Sequence, residues 1–268
     1  MRFLKGHGTG NDFVVLPEGT PEITPEFVAA LCDRRRGIGG DGVLRVARSS
    51  LSGVDWFMDY RNADGSLAEM CGNGVRVFAR YLATAGLAAG TVPIETRAGV
   101  VRAVIGDETI SVDMGLPKVY GDSSARVGGL ELPGVAVDCG NPHLVCALPA
   151  SVPLESLDLH VAPGHDEEFY PAGVNVEFFV PVGSGAAADG PHVRMRVHER
   201  GSGETLSCGT GAVAVAAVAL AGAGRDAGVV TVDVPGGRLT VTFDGAECHL
   251  VGPAVIVASG ELTAELSR

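Results

Sequence analysis

Apolar residues alternate with polar ones through Trp56, Met58 and Tyr60, and again through Val193, Met195 and Val197, which predicts two half-buried strands. Each is followed by a polar, glycine-bearing loop, then by Cys-Gly-x-Gly, then by a helical stretch of about 12–15 residues rich in alanine or valine. The segments after these helices, VPIETRAGVVRAVI and VVTVDVPGGRLTVTF, read as short strands joined by glycine turns. The second helix, AVAVAAVALAGAG, is apolar nearly all round and should be buried within its own sheet. The first carries Arg76 and Arg80, which the pattern places on an exposed face.

The two passages are copies of one unit. Cys71 and Cys208 lie 137 positions apart, and the same offset pairs Gly72 with Gly209, Gly74 with Gly211, Asn62 with Glu199, Gly99 with Gly236 and Gly115 with Gly252. GTGNDFVVL near the start is similar, less tightly, to CGNPHLVCAL at 139–148, so Asn11 and Asn141 each precede a strand-like run. The fold expected is α/β (α+β), with two pseudo-symmetric tandem domains, residues 1–117 and 118–253. Each is a curved, mostly antiparallel sheet wrapped around a central helix, and the tail at 254–268 returns to the first domain. The stretch Val182–Pro191, containing GSGAAADG, reads as a hairpin tip.

Composition narrows the function. The 268 residues suit two domains, and the net charge of −12 without a basic stripe argues against nucleic acid and anionic membrane surfaces. The longest run of apolar residues and glycine, Ala212–Gly224, is 13 residues, short of the about 20 needed to span a bilayer. The N-terminus lacks the apolar run of a signal peptide, so the chain reads as soluble and cytoplasmic. Six cysteines without a CxxC pair give neither a disulfide scaffold nor a zinc or thioredoxin-like motif. Cys32, Cys139, Cys146 and Cys248 read as small buried hydrophobes. Pro142 disfavours a helical ligand pair from Cys139 and His143, and no metal is expected. Lys5 and Lys118 are the only lysines, and neither adjoins a phosphate cradle, so no pyridoxal phosphate is expected; GHGTG at 6–10 is no dinucleotide fingerprint.

A cysteine at a helix start sits near the positive end of the helix dipole, which lowers the pKa of a thiol, and the unpaired N–H groups after it form an anion site. If two such starts converge on one cleft, they can grip one carboxylate and set a thiol on each face of the adjacent carbon. One thiolate then removes the Cα proton and the opposite thiol returns one, so the stereocentre inverts without a cofactor.

The whole chain resembles the diaminopimelate epimerases. The resemblance runs in order through KGHGTGNDFVVL, DRRRGIGGDGVL, YRNADGS, MCGNGVRVFARY, CGNPHLV, GVNVEF, VHERGSGETLSCGTGAVA and PGGRL. It implies interconversion of LL- and meso-2,6-diaminopimelate, supplying lysine and peptidoglycan synthesis, by a homodimer that needs no cofactor. By position, Cys71 and Cys208 match the catalytic pair, and Gly72, Asn73, Gly209 and Thr210 the backbone that holds the reacting carboxylate. Asn11, Asn62, Asn141, Asn175, Glu199 and Arg200 match the substrate-binding set, and His143 and Glu199 match positions that tune the thiols and bind the α-ammonium. Arg200 is expected on the far carboxylate, where a guanidinium fork suits bidentate binding. One position departs: many family members carry glutamine where this chain has Gly42, which puts the local binding contact in doubt.

Three other readings compete with this one. A cysteine-pair racemase for another amino acid, of the proline racemase kind, has no need of the Asn62, Asn175 and Arg200 set. A phenazine-type isomerase lacks the cysteine pair. A non-catalytic binding protein has no use for two intact thiols, and deuterium incorporation at Cα separates it from an enzyme.

Overall fold

The computed structural model describes residues 1–183 and 190–263. The tip at 184–189, the core of the predicted hairpin end, lies outside the described residues. The chain divides into two compact units, one of Met1–Asp113 joined by the segment from Gly252 onward, the other Met114–Val251.

The first unit contains β1 (Arg2–Gly8), β2 (Asn11–Leu16), α1 (Pro25–Cys32), β3 (Gly42–Arg48), β4 (Trp56–Asn62), α2 (Gly72–Thr84), β5 (Thr91–Thr96), β6 (Gly99–Ile105) and β7 (Thr109–Asp113). The second contains β8 (Lys118–Val127), β9 (Leu130–Asp138), β10 (Pro142–Ala147), β11 (Asn175–Pro181), β12 (His192–Glu199), β13 (Gly203–Thr205), α3 (Gly209–Gly222), β14 (Gly228–Val234), β15 (Gly237–Phe243) and β16 (Cys248–Pro253), whose last two residues, Gly252 and Pro253, already belong to the first unit. The chain then continues in the first unit as β17 (Val255–Glu261).

Hydrogen bonding follows one plan in both units. In the first the strand order is β17-β1-β2-β3-β4-β5-β6-β7. In the second it is β8-β9-β10-β11-β12-β14-β15-β16. Parallel pairs fall at the same two places, β2–β3 and β4–β5 in one and β10–β11 and β12–β14 in the other, and the remaining pairs are antiparallel. The parallel pairs mark crossovers, because only a long connection can return the chain in the same direction. The second crossover of each unit carries the central helix. The place that β8 fills in the second unit is filled in the first by β17, from the far end of the chain.

Each sheet curls round its helix. α2 packs against β17, β1, β2, β6 and β7, and α3 against β9, β10, β11, β12, β14 and β15. The predicted alternation is realised on β4 and β12, where Trp56, Met58, Tyr60, Val193, Met195 and Val197 are buried. α3 buries Ala212–Ala216 and Leu220, as an all-apolar helix must. α2 differs from the pattern. Arg80 is half-buried, but Arg76, expected on an exposed face, is 0 % exposed. Side chains on a helix lean toward the N-terminus, and the guanidinium lies back along α2 with Nη1 donating to the Gly72 carbonyl, one turn earlier, at 3.4 Å.

A charged cluster ties β4 to its neighbours. Asp59, 1 % exposed, accepts from Arg45 Nε at 2.8 Å and Arg61 Nε at 2.9 Å, and pairs with Arg97. Burial alone would raise its pKa, but the three guanidiniums outweigh it and hold the carboxyl below the usual range. Asp59→Asn should therefore cost about 3–5 kcal/mol in urea unfolding, because three cations lose their counter-charge. Since the native carboxyl ionises below the unfolded one, this stabilisation is complete above about pH 4 and is lost as pH falls further. Equal urea midpoints for variant and parent at neutral pH would refute it.

No helix among the described residues is long and apolar enough to cross a membrane.

Candidate active site

Both repeat cysteines are N-cap residues. Cys71 has extended backbone geometry ahead of α2, and its Sγ accepts from the Gly74 N–H at 3.4 Å. Cys208 caps α3 in the same way, accepting from the Gly211 N–H at 3.4 Å. In each case the sulfur takes the place that a serine or aspartate oxygen usually holds, bonding the third N–H of the helix. Gly72 and Asn73, like Gly209 and Thr210, are therefore the first two helical residues, whose N–H groups have no acceptor within the helix.

In the first unit the surroundings of Cys71 are amides. Its thiol donates to Asn11 Oδ1 at 3.6 Å, and Asn73 Nδ2 donates to the same oxygen at 3.2 Å. The Asn11 Nδ2 donates to Asp41 Oδ2 at 2.7 Å. A carboxylate can only accept, so Asp41 fixes the amide orientation and turns Asn11 Oδ1 toward the sulfur. Asp41 in turn bonds Arg34, which also grips Asp12 at 2.6 Å, and Asp12 pairs with Lys5 at 2.5 Å. Burial of Asp12 works against its ionisation, but Arg34 and Lys5 prevail and hold its carboxyl well below the usual range.

In the second unit the surroundings of Cys208 are ionisable. His143 and Glu177 are both 0 % exposed, with His143 Nδ1 2.7 Å from Glu177 Oε1. His143 Nε2 lies 2.9 Å from Asn141 Oδ1. Glu199, half-buried, accepts from Thr205, and the Cys208 Sγ lies 3.5 Å from Thr210 Oγ1. Burial pushes the Glu199 carboxyl up. Burial also pushes the Cys208 thiol well up, and the Glu199 and Glu177 carboxylates push it further. The expected lowering of the thiol pKa by the helix start is thus overturned for Cys208, because the bonds from Thr210 and Gly211 are outweighed.

The strand registers show why the floors beneath the helix starts differ. β2 sets Phe13 opposite Gly42 and β10 sets His143 opposite Asn175, so Phe13 and Leu44 occupy the places of His143 and Glu177. A Cβ on Gly74 would meet Leu44 at 3.4 Å and Phe13 at 3.6 Å, whereas one on Gly211 would meet Glu177 Oε1 at 2.6 Å. One helix start rests on apolar carbon and the other on a carboxyl group.

The remaining sequence candidates fall into two groups. Asn62 donates to Ser66 Oγ at 3.0 Å at the end of β4. Asn175 spends its amide on backbone, accepting from the Arg200 N–H at 2.9 Å and donating to the Pro142 carbonyl at 3.1 Å. Arg200 is exposed, with Nη1 donating to the Ala172 carbonyl at 3.2 Å. Around Gly42 there is no room for a side chain, since a Cβ would lie 2.5 Å from the Arg61 carbonyl oxygen and 2.8 Å from the Tyr60 ring. Three participants escaped the sequence reading: Asp41, Arg76 and Glu177. Only Glu177 carried a visible signal, a lone acid inside the apolar run Val176–Val180.

Cys32, Cys146 and Cys248 are buried and Cys139 is half-buried; all six cysteines are free. Burial pushes the Cys32 thiol up to about 11 and that of Cys146 up to about 12.

The chain shares its fold with other solved structures. The chain is similar over 98 % of its length to a phenazine biosynthesis protein of the PhzF family from Bacillus anthracis, covering 99 % of it at a TM-score of 0.73 and 19 % identity. It is also similar to a probable proline racemase from Agrobacterium radiobacter K84, with a TM-score of 0.70 and 17 % identity over 98 % of this chain and 93 % of that one. Sequence relatives are more specific. Proteins named diaminopimelate epimerase from Rhodococcus jostii RHA1 and Thermobifida fusca are 49 % and 50 % identical, each over 98 % of this chain and over 97 % and 98 % of their own lengths. The diaminopimelate epimerase family profile matches residues 3–120 and 135–262. The protein is an amino-acid epimerase, an isomerase. It belongs to the diaminopimelate epimerase family.

Proposed function

We propose that this protein interconverts LL- and meso-2,6-diaminopimelate by a two-base mechanism in which Cys71 and Cys208 act on opposite faces of one Cα. The reading rests on one observation above others. Equivalent cysteines cap equivalent helices in two copies of one fold, each with its sulfur on the third N–H of the helix.

In the forward step a thiolate sulfur takes the Cα proton as the C–H bond breaks, and its electron pair spreads into the carboxylate. The N–H groups of Gly72, Asn73, Gly209 and Thr210, at the two helix starts, are proposed to hold that carboxylate and to stabilise the growing charge. The second thiol then gives its proton to the other face, and the two sulfurs have exchanged roles. The carboxylate and the thiols suffice, so the proposal includes no pyridoxal phosphate and no metal. Asn62, Asn175 and Arg200 are proposed to read the amino-acid head at the far end, Glu199 with His143 to bind the α-ammonium and tune the thiols, and Asn11 and Asn141 to complete the substrate-binding set. The same reading carries what the resemblance implies of the setting: a homodimer supplying lysine and peptidoglycan synthesis in the cytoplasm.

The test is LL-diaminopimelate in deuterated water with no added cofactor, run beside a panel of other amino acids. The expected product is meso-diaminopimelate carrying one solvent deuterium at the inverted carbon. No incorporation, dependence on added pyridoxal phosphate, or faster turnover of another amino acid would each overturn the proposal.

A further inference from the structure

Among the described residues, the guanidinium of Arg76 is the one strongly charged group buried beneath the Cys71 helix start, and the mechanism above does not use it. Its Nη2 donates to Asn73 Oδ1 at 2.9 Å and to Thr9 Oγ1 at 3.2 Å, its Nη1 to the Gly72 carbonyl at 3.4 Å and its Nε to the Pro253 carbonyl at 3.5 Å. All four acceptors are neutral, and among the described residues no carboxylate pairs with it. A buried cation without a counter-ion is costly, so a fold rarely keeps one for packing alone. Here packing does not require it. The 137-residue offset places Val213 at the matching position of α3, 1 % exposed, so the duplicated architecture accepts an ordinary apolar residue there.

The fold also makes room for the cation at a cost. A Cβ on Gly8 would come within 3.0 Å of Arg76 Nη2, so β1 needs glycine where the guanidinium passes. Thr9 has φ 50°, unusual for a β-branched residue, in the turn between β1 and β2, and its hydroxyl takes one of the Arg76 bonds.

We propose that Arg76 is a positioning residue for Cys71, holding a positive charge behind the helix start that favours the thiolate and orienting the Asn73 amide toward Asn11. The orientation follows from chemistry. A guanidinium can only donate, so Asn73 Oδ1 must face it, which leaves Asn73 Nδ2 to bond Asn11 Oδ1 beside the sulfur. Burial lowers the Arg76 pKa to about 10, still cationic at neutral pH, and negative charge at Cys71 would work against that lowering. Other charged groups on strands packed against α2 are engaged elsewhere or face away. Lys5 pairs with Asp12, Arg45 and Arg61 bind Asp59, His7 Nδ1 accepts from the Gly10 N–H at 3.3 Å, Arg102 is exposed, and Asp113 ends β7.

The role in catalysis rests on the proposed two-base reading, but the test does not need turnover. Iodoacetamide labelling of Cys71 is followed by peptide mass spectrometry across a pH series, in the parent, Arg76→Gln and Arg76→Lys. The midpoint for Cys71 is expected below that of a free cysteine in the parent. Arg76→Gln should move it up and slow labelling at neutral pH on the order of tenfold, and Arg76→Lys should restore most of the rate. An unchanged midpoint in folded Arg76→Gln would overturn the proposal. So would a parent midpoint at or above that of a free cysteine, which decides the matter even if the glutamine variant does not fold. A low, Arg76-dependent midpoint together with failure of the deuterium experiment would leave Arg76 its role and remove only the substrate assignment.

Discussion

Cys71→Ser and Cys208→Ser should each lose turnover by on the order of 10²–10⁴-fold while keeping the fold. The two halves of that expectation come from the same atom. As an N-cap, each sulfur accepts from a helical N–H at 3.4 Å, and a serine oxygen does that as well or better, so each helix start should survive. As an acid or base, an alcohol is far weaker than a thiol near neutral pH and cannot stand in. Melting temperatures near the parent value with epimerisation nearly gone would fit this account. Near-normal epimerisation in either variant would sink the two-base scheme, and loss of fold in both would make the cysteines structural instead. The two losses need not be equal. Cys208 sits among carboxylates that favour the thiol, so it is cast as the group that first gives a proton.

The duplication was legible because its marks are local. Cys-Gly-x-Gly followed by a helix, and the alternation on β4 and β12, depend on residues a few positions apart, and the structure has the helices starting at Gly72 and Gly209. The order of strands was not legible: the tail was expected to return to the first domain, but nothing in its spacing assigns β17 the place beside β1 that β8 takes beside β9 in the second unit. Arg76 was misplaced for a related reason. Arginine on an amphipathic helix usually faces water, and part of the space that admits it comes from Gly8 on β1, far away in sequence. His143 was found through the family motif, but its partner Glu177 depends on the parallel register of β10 and β11, strands separated by 27 residues of connection.

That pair gives the second large expected effect. Glu177→Gln should lower turnover by about 10- to 100-fold, the loss of one charge-assisted buried hydrogen bond. Glu177 Oε1 and Asn141 Oδ1 sit on opposite sides of the His143 ring, at 2.7 and 2.9 Å. Asn141 Oδ1 can only accept, so a proton belongs on Nε2, and the second proton of the pair is shared between Nδ1 and Glu177. Either placement leaves the pair neutral overall. A glutamine amide can still meet the ring, by donating its NH2 to a bare Nδ1 or by accepting from an Nδ1–H, but the shared proton and its charge-assisted bond are lost. The ring that Asn141 contacts is thereby held less firmly from its far side. Glu177 is also the member of the pair that pushes the Cys208 thiol up, so without it Cys208 should label with iodoacetamide at lower pH than in the parent. A fall in turnover without that shift would make Glu177 a positioning residue for Asn141 alone. Full turnover with an unshifted profile would show that the buried pair serves only the fold.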